Sequence, residues 1–250
     1  MRRRFTKPEW ARSLAGLVAT AFLVTFVPTA VPAVTVKGRV TETAKSRKRA
    51  NSAVVVWLIP ASGDPLPDPT LDPSHGRFRL IQKNKQFSPH LLVVPVGATV
   101  EFPNLDPFFH NVFSLFDGKR FDLGLYEAGS TRWVKFDRPG VSYIFCNIHP
   151  DMGAVVLAMA TPYYGVSNSA GEISIQDVPP GRYKVEIWQE SALPEELRKL
   201  SREIAVSPEA SFLGTFQISS SGRGMLAHKN KYGRDYDEST SPNPLYDYPQ

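Results

Sequence analysis

Cysteine is nearly absent from this chain of 250 residues, and the other residues that bind soft metal ions are scarce as well. The sequence contains one cysteine, Cys146, together with 5 histidines and 4 methionines. One cysteine excludes an intramolecular disulfide framework. Five histidines are also too few to supply several separate histidine-rich metal centres.

Long hydrophobic runs are lacking too. The longest, residues 14–27, has about 14 residues, whereas a membrane-spanning helix needs about 20. This run follows the basic residues 2–7 and precedes Val31-Pro32-Ala33, which is the pattern of a signal peptide. We therefore predict a signal peptide over residues 1–33, cleavage after Ala33, a periplasmic or otherwise exported protein, and no stable membrane span after cleavage. An uncleaved N-terminal anchor is the alternative.

A strong excess of charge of one sign is also missing. The formal net charge is +5, but residues 1–33 hold five basic side chains and one acidic side chain, so the remaining residues carry +1. This near balance gives no electrostatic footprint for nucleic acid, and we expect no nucleic-acid partner. The basic run at residues 45–49 is interpreted as a solvated hairpin loop, with docking of an acidic redox partner as the alternative.

The single cysteine stands in an informative setting. Cys146, His149 and Met152 follow the spacing Cys-x2-His-x2-Met, and His110 lies 36 residues before the cysteine. One thiolate, two imidazoles and one weak axial thioether are the ligand set of a mononuclear blue-copper site. Such a set lies between the geometries that Cu(I) and Cu(II) prefer, so it favours rapid one-electron transfer. We predict that these four residues bind one copper ion.

The flanking residues predict a loop that can hold these ligands. Residues 141–146 and 154–160 are apolar and rich in β-branched or aromatic side chains, as is typical of strands. The segment from Cys146 to Met152 is therefore expected to be a tight connection between two strands. A buried structural cysteine is the alternative, but a free thiol in an exported protein is a liability that metal binding removes. Asp151 lies in the same loop, yet a hard carboxylate suits Cu(I) less well than a thioether.

Residues 78–161 resemble the cupredoxins, the group of plastocyanin, amicyanin and pseudoazurin. Three segments carry the resemblance: residues 93–102, which match a V-x-x-G-x-x-V-x-F pattern; residues 104–111; and the Cys146 loop, whose length resembles that of amicyanin. The resemblance implies a β-sandwich with copper at one end, bound by His110, Cys146, His149 and Met152. It also implies that Asn111, through its side chain or backbone, steadies the cysteine-bearing loop.

The resemblance to cupredoxins also implies a function. In that family the imidazole edge of the loop histidine, here His149, reaches a hydrophobic surface patch and passes the electron; Phe108, Phe109, Ile148 and Pro150 are candidates for the patch. We therefore expect an exported type 1 copper protein that carries single electrons between a redox donor and a redox acceptor, and no enzymatic activity. A copper-binding or delivery protein without redox turnover is the alternative.

The residues on either side of this segment predict a second β-sandwich. Residues 169–188 alternate between apolar and polar side chains around Pro179-Pro180-Gly181. With residues 38–40 and 53–58 they resemble the carboxypeptidase regulatory-like domain, a small prealbumin-like β-sandwich. We therefore predict an all-β protein in which residues 34–61 and 162–219 form one discontinuous domain around the inserted cupredoxin segment. Residues 193–200 are expected to form a short helix, and the polar residues 220–250 a disordered tail.

Overall fold

Short β-strands make up nearly all of the regular structure, as the frequent glycine and proline turns predict. The computed structural model describes residues 32–42, 53–63, 77–115, 118–219 and 228–236, which lie in one compact unit, Pro32–Gln250. All but the last two residues of the predicted signal peptide, and the basic run at 45–49, lie outside the described residues. Within the described part of the chain, no helix has the length and apolar character needed to cross a membrane. The prediction of an all-β fold is confirmed.

Seventeen strands and one helix follow one another along the described residues. They are β1 (Val34–Glu42), β2 (Val55–Pro60), β3 (Phe78–Arg79), β4 (Ile81–Lys83), β5 (Gln86–Ser88), β6 (Leu91–Pro95), β7 (Thr99–Pro103), β8 (His110–Ser114), β9 (Phe121–Tyr126), β10 (Thr131–Lys135), β11 (Gly140–Cys146), β12 (Gly153–Met159), β13 (Tyr164–Val166), β14 (Glu172–Val178), β15 (Gly181–Trp188), α1 (Pro194–Leu200), β16 (Arg202–Val206) and β17 (Phe212–Ile218).

Two sheets enclose the first large hydrophobic cluster. Their strand orders are β6-β12-β11-β8-β9 and β10-β7-β3. Strand β12 is buried on both faces, because Ala154, Val156 and Ala158 pack into this cluster whereas Leu157 and Met159 pack into a smaller one. Burial on both faces explains why the sequence of β12 is a continuous apolar run and not an alternating one.

Two other sheets enclose the second large cluster. Their strand orders are β14-β1-β17 and β13-β2-β15-β16. Strand β1 pairs with β14 and β17, and β2 pairs with β13 and β15. The buried side chains of this cluster therefore come from two stretches of sequence, residues 36–58 and residues 163–218, which lie on either side of the first pair of sheets in the chain.

The alternating pattern around the two prolines is confirmed. Ile173 and Ile175 of β14 are buried, and so are Tyr183, Val185 and Ile187 of β15. The two strands belong to different sheets, so the Pro179-Pro180 connection carries the chain from one sheet to the other. The predicted short helix is α1, which begins at Pro194, where the missing amide hydrogen of proline costs no helical hydrogen bond.

A small third cluster contains residues from both pairs of sheets. Its buried members are Val55, Leu157 and Met159. Beside it, Nε2 of His90 lies 2.6 Å from a carboxylate oxygen of Glu190, and Nδ1 lies 3.1 Å from the carbonyl oxygen of Gly153. This contact fixes the start of β12, the strand that follows the loop with the candidate metal ligands.

Candidate metal centre

The loop from Cys146 to Met152 connects two paired strands. Phe145 near the end of β11 pairs with Gly153 at the start of β12. Inside the loop, the backbone N–H of Cys146 donates to the carbonyl oxygen of Met152 at 3.2 Å, and the N–H of Met152 donates to the carbonyl oxygen of His149 at 3.2 Å. These bonds bring the ends of the loop together, so the predicted tight connection between two strands is confirmed.

Strand pairing brings His110 to the same place. Strand β8 begins at His110 and pairs with β11, with Val112 opposite Cys146. The N–H of Asn147 donates to the carbonyl oxygen of Asn111 at 2.9 Å. The segment that carries His110 is therefore bonded directly to the loop that carries the cysteine, although 36 residues separate the two in sequence.

Three of the four predicted ligands converge on one point. Sγ of Cys146 lies 3.6 Å from Nδ1 of His110 and 3.6 Å from Nδ1 of His149. The potential ligand atoms of all three residues lie within 4.8 Å of one another. Cys146 and His110 are fully buried, whereas His149 is partly exposed. The site therefore has a buried interior and one imidazole that reaches the surface.

The fourth residue, Met152, lies in the same loop and is fully buried. Its side chain belongs to the first hydrophobic cluster, of which Cys146 is also a member. A buried thioether and a buried thiol in one cluster offer soft ligand atoms, which suit Cu(I) better than a hard cation.

The Cys146 thiol is held in its neutral form when no metal is bound. Burial raises its pKa, and backbone N–H groups of Asn111, Ile148 and His149, which favour the thiolate, only partly offset the effect of burial. A metal ion that binds the sulfur must therefore displace a proton. The three N–H groups then remain as donors to the charged sulfur.

The His110 ring is oriented by a residue that the sequence did not single out. Nε2 of His110 lies 2.9 Å from Oδ2 of Asp106, and both side chains are buried. A carboxylate only accepts hydrogen bonds, so Nε2 carries the proton and Nδ1 presents its lone pair toward Cys146. Burial lowers the pKa of His110 despite the nearby carboxylate. The neutral tautomer that metal binding requires is therefore already in place.

Asp106 is in turn held by the turn between β4 and β5. The backbone N–H groups of Asn84 and Lys85 donate to its two carboxylate oxygens at 2.6 and 3.0 Å. Both turn residues have φ near +57°, the left-handed conformation of a two-residue hairpin turn. Burial alone would raise the pKa of Asp106, but these donors and the His110 ring outweigh it and lower the pKa. Asp106 therefore remains a carboxylate.

The three convergent side chains fit a shared metal ion. Zinc, a first-row metal, bonds cysteine sulfur at about 2.3 Å and histidine nitrogen at about 2.0 Å. At bond angles of about 110–120°, these lengths place sulfur and nitrogen roughly 3.5–3.7 Å apart. The observed separations are 3.6 Å. A thiol has one proton and can donate to one of the two nitrogens at a time, whereas one metal ion is coordinated by both.

Asn111 acts through its backbone and not through a side-chain bond to the cysteine loop. Its carbonyl oxygen accepts from Asn147, and its N–H lies beside the Cys146 sulfur. The side chain instead donates to Oδ1 of Asp122 at 2.6 Å and to the carbonyl oxygen of Gly124 at 3.0 Å. The side chain thus connects the His110 segment to β9.

Of the four residues expected around the His149 imidazole, Phe108 has a ring contact with it. The Phe108 ring is 5.5 Å from the His149 ring and 5.3 Å from the His110 ring, measured between centroids. Phe109 and Pro150 are exposed, whereas Ile148 is partly buried against the first cluster. Phe108 therefore gives the partly exposed His149 ring an apolar neighbour.

A second feature that the sequence did not reveal is a contact from the C-terminal segment. Residues 228–236 lie against the cysteine-bearing loop, with the Tyr236 hydroxyl donating to the carbonyl oxygen of Cys146 at 2.7 Å. These residues fall within the range for which composition predicted a disordered tail. The composition of these residues shows that they are polar. It does not show that the side chains of His228 and Tyr236 contact residues far away in sequence, Phe145 and Cys146.

Comparisons with known proteins give partial likenesses. No protein-family model matches the chain, and no curated protein sequence matches it. Among solved structures, the chain is similar to a purple cupredoxin from Nitrosopumilus maritimus, with 26% identity and a TM-score of 0.30 over 33% of this chain and 99% of that one. A variant of amicyanin in the Cu(I) state has 20% identity and a TM-score of 0.32, over 34% of this chain and 83% of that one.

A larger copper protein is also among these structural neighbours. The copper-containing nitrite reductase from Thermus scotoductus SA-01 has 25% identity and a TM-score of 0.32, over 34% of this chain and 22% of that chain. The chain thus spans less than a quarter of the length of this neighbour.

Proposed function

We propose that this protein binds one copper ion in a type 1 site and carries single electrons between redox partners. His110, Cys146 and His149 would be the equatorial ligands, and Met152 the weak axial ligand. The observation that carries the proposal is the placement of two imidazole nitrogens, each 3.6 Å from one buried thiol sulfur, with a buried methionine in the same loop.

The residues of the chain provide the conditions that electron transfer needs. When bound, copper would supply the one-electron couple between Cu(I) and Cu(II). The hydrogen bonds of the loop and of Asp106 hold the ligands in one arrangement before and after the electron moves, so little has to reorganise. The buried side of the site excludes water. The partly exposed His149, whose ring contacts Phe108, offers the short path to a partner.

The distribution of histidines supports a carrier with one centre. Across the residues that the structure describes, the three-residue group around Cys146 is the one cluster of this kind able to hold a metal. His90 bonds Glu190 and Gly153, and His228 stacks on Phe145. Full burial of Cys146 also fits retention of the metal better than its delivery to another protein, which needs an accessible ligand.

We further propose the context in which the site works. Residues 34–61 and 162–219 would form one discontinuous domain of the carboxypeptidase regulatory-like type, because β1 and β2 pair with strands of the C-terminal stretch. That domain would have a structural or partner-facing role. Export to the periplasm would account for a lone cysteine that metal binding protects.

Titration of the metal-free protein with Cu(II) tests the proposed function. The expected result is an intense blue absorption band and narrow copper hyperfine splitting in the EPR spectrum, at one copper per chain. Cys146→Ser should abolish the blue band, since the band requires a copper–thiolate bond. A pale solution with wide hyperfine splitting in the wild-type protein would overturn the proposal.

A further inference from the structure

The C-terminal segment holds the cysteine-bearing loop at two points. This segment, residues 228–236, is called the strap below. The Tyr236 hydroxyl donates to the carbonyl oxygen of Cys146 at 2.7 Å, and the N–H of Lys231 donates to Oδ1 of Asn147 at 2.9 Å. Consecutive residues of the loop are therefore each bonded to the strap.

The strap also reaches the other ligand-bearing segment. Nζ of Lys231 lies 2.8 Å from Oδ2 of Asp122, whose other oxygen accepts from the Asn111 side chain at 2.6 Å. Asn111 follows His110 in sequence. The pair with Lys231 and the bonds from Asn111 and Gly124 outweigh burial and lower the pKa of Asp122, so it remains charged. Lys231 thus links the segment of Cys146, through Asn147, to the segment of His110.

Aromatic packing covers the residue before the cysteine. The His228 ring stacks on Phe145 with 3.9 Å between centroids and 25° between planes, and Tyr236 meets the His228 ring edge-on at 5.3 Å. Nδ1 of His228 lies 3.3 Å from the Tyr236 oxygen. Because the tyrosine donates its one proton to Cys146, the imidazole is the donor in this contact. The same Nδ1 lies 3.2 Å from the carbonyl oxygen of Lys229, so its one proton is shared between that oxygen and the Tyr236 hydroxyl.

The strap has its own internal structure. The N–H of Asn230 donates to the carbonyl oxygen of Arg234 at 2.8 Å. The N–H of Gly233 donates to the carbonyl oxygen of Asn230 at 2.9 Å. The Asn230 side chain accepts from the backbone of Tyr232 and Arg234 at 3.0 and 3.1 Å. Since this turn is closed by local bonds, it presents Lys231 to the loop in a fixed direction and reduces the entropy cost of the contact.

We propose that Lys231 and Tyr236 are positioning residues, which hold the Cys146 and His110 segments in register for metal binding. This inference rests on the proposed function, because it assigns both residues to the same copper site. Its structural content, that the strap suppresses local opening around Cys146, is measurable in the metal-free protein.

The test measures how fast iodoacetamide alkylates Cys146 in the metal-free full-length protein at one pH. Cys146 is fully buried and is the one cysteine in the chain, so the rate reports opening of its surroundings. Lys231→Met removes the bond to Asp122 and keeps the backbone bond to Asn147. We expect it to accelerate alkylation about fivefold, since the ion pair is partly exposed.

Two further variants complete the test. Tyr236→Phe keeps the ring and leaves the Cys146 carbonyl without this donor, and we expect alkylation about fivefold to tenfold faster. Lys229→Met is the matched control, because its side chain is exposed and lies 3.9 Å from an exposed Asp235; its rate should equal that of the wild type. Lys231→Arg should restore most of the protection.

Three results would overturn the proposal. They are unchanged alkylation in both Lys231→Met and Tyr236→Phe, equal acceleration in Lys229→Met, or acceleration fully explained by a fall in the free energy of unfolding measured in urea. In the copper-loaded protein, Lys231→Met and Tyr236→Phe should each broaden the copper EPR lines. A wild-type protein that binds no copper would refute the proposed function, while the alkylation rates would still decide whether the strap restrains the loop.

Discussion

Oδ2 of Asp106 accepts a hydrogen bond from Nε2 of His110 at 2.9 Å, and both side chains are buried. This bond sets the tautomer of the imidazole, so Nδ1 faces the sulfur of Cys146 with its lone pair. The backbone N–H groups of the turn residues Asn84 and Lys85 donate to the same carboxylate. The candidate ligand His110 is therefore supported, through Asp106, by the β4–β5 hairpin, which contributes no ligand itself.

Asp106→Asn is expected to weaken copper binding by about tenfold to a hundredfold, as loss of a carboxylate behind a ligating histidine does elsewhere. The amide keeps the shape but loses the charge that favours the Nε2–H tautomer. A competition titration against a chelator of known affinity measures the change. Asp151→Asn is the matched control, because Asp151 is exposed in the ligand loop; equal losses in both variants would contradict the role of Asp106.

Met152→Leu is expected to retain copper and raise the reduction potential. Leucine keeps the apolar volume, so the cost in folding stability should be below about 1.5 kcal/mol. It lacks the axial thioether, which stabilises Cu(II) more than a hydrocarbon does. Cyclic voltammetry of the loaded protein checks the potential, and a value equal to that of the wild type would show that the thioether is not a ligand.

The contact between His90 and Glu190 should make stability depend on pH. The hydrogen bond to the Glu190 carboxylate raises the pKa of His90 in the folded protein, although burial opposes it. A raised pKa stabilises the fold fully below the pKa of the unfolded chain, about 6.5, and the effect is lost as the pH rises through the folded value. Urea unfolding of the wild type and Glu190→Gln should therefore differ at pH 5.5 and converge at high pH. A constant difference between pH 5.5 and 9 would count against this pair.

The two large clusters predict separate effects of two core substitutions. Ile175 and Ile144 are both fully buried, but in different clusters. Each change to alanine should lower the free energy of unfolding of the part of the protein that contains its cluster by about 2–5 kcal/mol. Ile144→Ala should also accelerate alkylation of Cys146, whereas Ile175→Ala should leave it unchanged. Equal acceleration in both variants would show that the clusters unfold as one unit.

The sequence by itself determined the local features of this protein. The strands around the cysteine loop, the alternation in β14 and β15 and the start of α1 at Pro194 all follow from periodicity and from proline and glycine chemistry, which act over a few residues. The spacing of Cys146, His149 and Met152 likewise placed three candidate ligands in one loop. These features need no knowledge of distant parts of the chain.

Only the tertiary structure decided which distant residues support that loop. Asp106 was part of a recognised segment, but its bond to His110 depends on a turn whose two backbone N–H groups point at the carboxylate. Lys231 and Tyr236 stand in a polar segment, and their partners lie 84 and 90 residues away in sequence. Hydrogen bonds between such distant residues leave no periodic pattern. They become visible only when strand pairing and packing have brought these segments together.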